Sequence, residues 1–341
     1  MALPASDELV GGPFVVNVKS RSATVVWLMR TAEVKLGETP GEYTKSAPSL
    51  RVEKAGFAGL QPGRTYHYDV LGREEGKGHF TTAPVGPATF RFVVYGDTRT
   101  RHELHRQVVN VVREAEPDFI VHTGDLVADG TDTAQWPVFF EISRELLRRT
   151  AFFPVLGNHE RNSRHFHECF DVSTPYYSFD WGNAHFTLLN SDYGNVAASE
   201  EARDKFWAEQ LRWLEEDLAA SQKAAYRFVA MHHPPITAVK RRQSGRPRVA
   251  DMVPFFEKYA VTAVFNGHDH NYQHHVQNGV RYIVTGGGGA PLYPVDGPLE
   301  GITQKVESTE HYVRVDVTPE TAVLEAVALD GRLLDRIELG P

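Results

Sequence analysis

Apolar residues in this chain fall into short runs whose spacing changes character near residue 86. Before that point the period is two. Ala23, Val25, Trp27 and Met29 occupy alternate positions of Ala23–Arg30 and would share one face of a strand. Phe14–Lys19 is β-rich, and Tyr66, Tyr68 and Val70 alternate in the same way. Residues up to about Thr82 therefore read as all-β, with Phe80–Pro84 as the last strand. Ala83–Ala88 carries two prolines and a glycine and reads as a linker. We place a boundary there, giving domains 1–86 and 87–341.

Beyond the boundary, strand-like runs alternate with helical spacing. Phe90–Tyr95, Phe119–Thr123 and Phe152–Leu156 are apolar runs, separated by helices predicted over His102–Glu116 and Trp136–Arg148. In the first helix, Leu104, Val108, Val112 and Ala115 supply the apolar stripe. Tyr176–Asp180 and His185–Asn190 read as an antiparallel pair around Trp181-Gly182-Asn183. Trp207, Leu211, Leu214 and Leu218 mark a long amphipathic helix. Phe228–Met231, Ala263–Asn266 and Ile283–Thr285 are further strands. The tail from His311 reads as three more, with turns at Pro319 and Gly331. This alternation of strand and helix with antiparallel additions predicts an α/β sandwich.

Polar residues cluster where the strands end. Five strings occur in order: GDTRT at Gly96–Thr100, GDLVA at Gly124–Ala128, GNHE at Gly157–Glu160, MHHPP at Met231–Pro235 and GHDH at Gly267–His270. Each ends or follows an apolar run. Carboxylate, amide and imidazole groups gathered from several strand ends are what a pair of divalent metals needs. Of 16 histidines only His67 and His79 precede residue 86, so the metal-binding residue types concentrate in the second domain.

Together the strings resemble the calcineurin-like metallophosphoesterase superfamily, in the branch that holds the purple acid phosphatases. The resemblance spans about Phe90 to Val317. It implies a four-layer sandwich, two mixed sheets flanked by helices. The segment AGLQPGRTYHYDV resembles a fibronectin type III corner, with Tyr66 as the residue whose hydroxyl returns to the backbone. An N-terminal all-β sandwich of that type is therefore expected. The resemblance also implies two metals, Zn, Mn, Fe or Co, about 3.5–4 Å apart. In that picture Asp125 bridges them, Asp97 and His270 hold the first, and Asn158, His232 and His268 hold the second. His159 would donate a proton to the leaving group or act as a positive partner for the phosphate, with Glu160 orienting it; a histidine satisfied by a nearby backbone carbonyl is the other reading. The expected substrate is a small phosphomonoester or phosphodiester.

Two departures leave alternatives open. Many members have Asp-x-His in the first string, and that His binds the first metal; here Arg99 stands there. The purple enzymes have a metal-binding Tyr in the second string; here it is Ala128. His105 is the better placed replacement, ahead of His102, with an ordinary helix histidine as the other reading. Arg99 could clamp a phosphate oxygen or be a solvated loop residue. Asp97 and Asp125 could instead be helix N-caps. A binding or adhesion protein with a decayed metal site is the competing function.

Bulk properties narrow the classes. The net charge of −8 argues against a nuclease, because no basic field would attract nucleic acid. The basic loop Lys240–Arg248 is the exception; it reads as either a guide for an acidic substrate or a solvated loop. The single cysteine, Cys169, rules out an intrachain disulfide and suits a reducing compartment. No signal peptide is visible and no apolar stretch is long enough to span a bilayer, so a non-membrane location is expected, with the cytoplasm favoured and export left open. His233 beside His232 reads as a residue that supports the ligand from behind or packs, Tyr272 as a pocket residue, and Gly286–Gly289 as room for a strand end to pass close to the metals.

Overall fold

A computed structural model describes residues 7–244 and 248–340. The centre of the basic loop, 245–247, therefore lies outside it, as do the first six residues. The N-terminal segment forms β1 (Glu8–Val16), β2 (Ser22–Leu36), β3 (Lys45–Ala58), β4 (Thr65–Asp69) and β5 (Lys77–Thr81). Then follow β6 (Phe90–Tyr95), α1 (His102–Glu114), β7 (Phe119–His122), α2 (Gln135–Leu147), β8 (Ala151–Pro154) and α3 (Arg164–Phe170). The second half holds β9 (Tyr177–Trp181), β10 (Ala184–Leu188), α4 (Glu200–Ala220), β11 (Tyr226–Ala230), α5 (Val253–Lys258) and β12 (Ala263–Asn266). It closes with β13 (Tyr272–Gln277), β14 (Val280–Thr285), β15 (Thr303–Glu307), β16 (His311–Val317), β17 (Ala322–Ala328) and β18 (Leu333–Leu339).

Two mixed sheets pack face to face. One has nine strands in the order β18-β17-β16-β6-β7-β8-β1-β2-β3, the other seven in the order β15-β13-β14-β12-β11-β10-β9. Aromatic rings fill the space between them. Phe92 of β6 meets Phe186 of β10 at 5.1 Å and Phe228 of β11 at 5.2 Å, both tilted towards edge-on. Phe119 meets Trp181 at 4.5 Å and Phe186 at 5.2 Å. Each such fully buried ring contributes roughly 1.5–3 kcal/mol, so this layer fixes how the sheets register on each other. Helices α1, α2 and α3 cover the outer face of the first sheet through Val108, Val112, Phe139, Phe140 and Phe166. Helix α4 covers the second through Trp207, Leu214 and Leu218.

The N-terminal segment is all-β, and its corner forms as expected: Gln61 N–H donates to the Tyr66 hydroxyl at 2.9 Å. Its first three strands also continue the nine-stranded sheet. Val15 pairs with Ala151 of β8, and Phe14 stacks on Phe140 at 4.2 Å. Consequently β2 is buried on both faces: Thr24, Val26 and Leu28 are covered as well as Ala23, Val25 and Met29. Alternation alone corresponds to a sheet with one face open to solvent, whereas here both faces of β2 are covered. The N-terminal strands thus share a sheet with the strands beyond residue 86.

Strand direction positions the site. β6, β7 and β8 run parallel in the first sheet. β10, β11 and β12 run parallel in the second. Their carboxyl ends all reach one edge of the sandwich, where ligands bind in open α/β sheets.

Candidate metal centre

Each of the five strings lies just past one of these parallel strands, and three of its residues take a rare backbone conformation. Asp97, Asp125 and His268 have φ of 60°, 56° and 67°. Left-handed backbone at non-glycine residues costs about 1–3 kcal/mol each, and here it turns three polar side chains inward. Neither aspartate caps a helix: α1 is preceded by Arg101 and α2 by Ala134 at the cap position. Glycines make room. A Cβ on Gly267 would lie 2.5 Å from Asp97 Oδ2, and one on Gly157 would collide with Asp125 Oδ1. In the 286–289 run, a Cβ on Gly286 would meet Asp97 Oδ2 at 2.8 Å, so this strand end does pass against the aspartate.

Two groups of side chains result. Single ligand atoms of Asp97, Asp125 and His270 lie within 4.8 Å of one another, as do those of His232, His233 and His268. Asn158 Oδ1 joins the second group at 3.1 Å from His232 Nε2. Asp125 links the two groups, with Oδ1 3.4 Å from His232 Nε2.

The proton inventory of this cluster calls for a cation. His232 Nδ1 lies 2.8 Å from Thr123 O and must carry a hydrogen to donate there. Nε2 then faces Asn158 Oδ1, His268 Nδ1 (3.2 Å) and Asp125, where its lone pair needs a proton or a metal ion to resolve the contact. His270 Nδ1 donates to Pro291 O at 2.6 Å, which turns its Nε2 lone pair towards Asp97 Oδ1 at 3.3 Å. Asp97 Oδ1 is buried and meets no hydrogen-bond donor among the described residues. Acceptors facing acceptors in a buried site are repulsive unless a cation sits between them. Carbonyls that fix the tautomers of ligating histidines are the usual outer layer of a metal site. The donor set of carboxylate, amide and imidazole suits Zn, Mn, Fe or Co alike.

Electrostatics agree. Burial opposes a charge on His232, yet Asp125 and Asp97 outweigh it and raise its pKa. Burial would likewise raise Asp125, but His232, His159 and Arg99 hold it below the usual carboxylate range. Asp125 and Asp97 thus favour positive charge at His232, whereas burial and the neighbouring imidazoles lower the pKa of His233 and His268.

The remaining predicted residues divide. His159 Nδ1 donates to Ala128 O at 2.6 Å, and its half-buried ring brings Nε2 to 3.9 Å from Asp125 Oδ2. Arg99 Nε donates to Asp125 Oδ2 at 3.3 Å, so a guanidinium stands where the expected extra ligand is missing.

Glu160 does not orient His159, which Ala128 holds instead. Its buried carboxylate accepts four backbone N–H groups: Asp125 (2.9 Å) and Gly157 (2.7 Å) at Oε2, Leu126 (2.7 Å) and Val127 (3.3 Å) at Oε1. It ties the loop after β7 to the loop after β8.

His105 is not a ligand. It lies on the sheet-facing stripe of α1 with Val108, Val109 and Val112, and its ring stacks on Phe139 at 5.7 Å. Burial pushes its pKa down to about 3. The stripe is rotated by one residue from the Leu104-based pattern, a period the valines themselves carry. His102 is exposed at the helix start. Tyr272 does not line the pocket either; it is buried between the sheets with its hydroxyl donating to Asp335 at 3.0 Å.

Two participants lie outside the ligand set predicted from the sequence. His233 meets His268 at 4.2 Å with the rings tilted by 56°, and its pKa is pushed down to about 3 by burial and by His232, which leaves it neutral. Its adjacency to His232 was the available signal. Tyr293 stacks on His270 at 4.1 Å, and nothing local in the sequence marks it.

The sequence model of the calcineurin-like phosphoesterase family matches residues 90–272. The chain belongs to that family. Among curated relatives, tartrate-resistant acid phosphatase type 5 of Rattus norvegicus is 29% identical over 246 residues, 61% of this chain and 74% of the rat protein. Purple acid phosphatase 15 of Arabidopsis thaliana is 28% identical over 291 residues, 68% of this chain but only 52% of the plant protein. The purple acid phosphatase PPD1 from yellow lupin (Lupinus luteus) superposes with a TM-score of 0.74 over 96% of this chain and 74% of the lupin chain, at 17% identity. The last comparison speaks to fold, and it includes the N-terminal strands. Members of this calcineurin-like, purple-acid-phosphatase-like group are phosphoester hydrolases with a dinuclear metal centre. Among the described residues no helix is long and apolar enough to cross a membrane.

Proposed function

We propose that the chain is a dinuclear metal-dependent phosphoesterase acting on small phosphomonoesters, phosphodiesters or both. One observation carries the reading: six acceptor side chains from five strand ends converge with their lone pairs facing each other. Asp97, Asp125 and His270 would hold one ion, and Asp125, Asn158, His232 and His268 the other. We take residues 1–86 as a β module on the catalytic unit 87–341. When bound, two such ions supply a metal-activated water at neutral pH and neutralise charge on the phosphoryl oxygens.

The chain's own groups do the rest. Thr123 O and Pro291 O hold His232 and His270 in the ligating tautomer. Left-handed backbone at Asp97, Asp125 and His268 fixes the ligands before substrate arrives. His159, with Nδ1 tied to Ala128 O, presents Nε2 to the cleft and would deliver a proton to the departing alkoxide or phenoxide oxygen. Arg99 is placed to donate from its guanidinium to a phosphoryl oxygen.

The contact between Arg99 and Asp125 supports a second reading, a decayed centre whose first site is filled by a guanidinium. Elemental analysis with a panel of aryl phosphate and bis-aryl phosphate separates the two. Close to two metals per chain and hydrolysis that disappears in Asp125→Ala and His232→Ala are expected. A pure, metal-loaded protein that hydrolyses no phosphoester of either type overturns the proposal.

A further inference from the structure

The basic loop after His232 is not simply solvated. Gly297 N–H donates to Ala238 O at 2.8 Å, and Lys240 N–H to Asp296 Oδ1 at 3.0 Å. Gln243 Nε2 donates to Thr237 O at 2.8 Å. These bonds anchor a short turn at Lys240–Arg242 beside the metal centre. Its two arginines are used differently. Arg242 is satisfied, donating to His268 O at 3.0 Å and Asp269 Oδ1 at 2.6 Å. Arg241 makes no hydrogen bond or ion pair with any described residue. Its guanidinium lies 4.5 Å over the ring of Tyr293. The same ring stacks on His270, at 4.1 Å and 20°, and carries the Arg242 guanidinium 5.0 Å from its centroid. Tyr293 is itself pinned by its N–H to His270 O at 2.9 Å. A free cation is therefore held two stacking steps from a candidate ligand, on a support that limits its motion.

This cation faces a cleft of about 510 Å³ that also includes His233 and His268 of the second ligand group. Pro234, Pro235, Ile236 and Leu299 give its lining an apolar part, beside polar residues such as Thr237 and Gln243. A scissile phosphate at the metals would leave room here for the rest of the substrate.

Resting on the proposed phosphoesterase reading, we propose that Arg241 is a specificity-determining residue. It selects phosphoesters whose non-reacting part carries a second anionic group, a phosphate or a carboxylate, across a short apolar spacer. The unpaired fork of donors binds that anion, and the proline wall takes the spacer.

The test measures binding, not turnover. Manganese-loaded protein is titrated calorimetrically with phenylphosphonate, benzene-1,4-diphosphonate and 4-carboxyphenylphosphonate. One charge-assisted contact predicts that at least one doubly anionic ligand binds roughly tenfold tighter than phenylphosphonate. In Arg241→Gln that gap should shrink to below roughly threefold, and Arg241→Lys, which keeps charge without the flat face, should fall between. The diphosphonate and carboxylate arms tell which anion the fork prefers. Equal affinities for all three ligands in the unaltered protein, or a full gap surviving in Arg241→Gln, overturn the inference. Hydrolysis of phenyl phosphate by the same preparation reports separately on the phosphoesterase reading. The binding result stands whatever that assay returns.

Discussion

Glu160 offers the sharpest test of how the centre is built. It contacts no proposed metal directly, yet both its oxygens are saturated by backbone N–H groups from the loops that carry Asp125 and Asn158. Burial and the nearby Asp125 push its pKa up, while the four donors favour the carboxylate. The geometry decides for the charged form, because a protonated oxygen would set its hydrogen against an N–H. Glu160→Gln keeps the shape and replaces one oxygen by NH₂. Whichever way the amide turns, two buried N–H groups lose their acceptor and face another donor. An unsatisfied buried donor costs about 1–3 kcal/mol, so the pair should cost about 2–6 kcal/mol. The assay is urea unfolding of metal-free protein followed by tryptophan fluorescence at pH 7.5. Manganese titration of the folded variant should also weaken by roughly 10–100-fold, the usual effect of losing an outer support. A stability change under about 1 kcal/mol refutes the reasoning: it means Glu160 is already protonated and glutamine mimics it.

Three further outcomes are expected. Burial opposes a charge on His185, but hydrogen bonds to Asp180 (2.7 Å) and Asp217 (3.0 Å) raise its pKa to about 9. That lies above the unfolded value of about 6.5, so the stabilisation is complete below pH 6.5 and lost as pH rises towards 9. After discounting the exposed Asp180 it amounts to ~2–3 kcal/mol, and Asn in place of His185 should flatten the stability profile over that window in chelator-treated protein. Gly157→Ala drives a methyl onto Asp125 Oδ1; overpacking of ~1–3 kcal/mol should leave the protein folded by circular dichroism but unable to retain two metals through desalting, and full retention would contradict the close approach. Arg99→His removes the cation beside Asp125 and restores the imidazole common at that position in the family. Metal content after desalting should rise relative to the unaltered protein, and a fall would mean that Arg99 supports the site rather than competing with it.

The amino-acid sequence by itself determined the parallel strands, the five polar strings at their ends and hence which elements meet at one edge. Those features are local: apolar runs, glycines at turns and the order of strings survive without knowing what packs on what. It also marked the tyrosine corner, which a Pro-Gly turn and one ring build within a few residues. Rotation and partnership were decided only by the tertiary structure. His105 reads as a metal ligand until the valines of α1 turn it onto Phe139, because a helix chooses its buried face by what lies beneath it. Glu160 sits next to His159 in sequence but spans two loops in space. That the first three strands also join the nine-stranded sheet, through Val15 and Ala151, only the tertiary structure shows. Tyr293 and Arg241, 52 residues apart, become neighbours of the centre through stacking, a contact that depends on shape and distance and leaves no periodic trace in the chain.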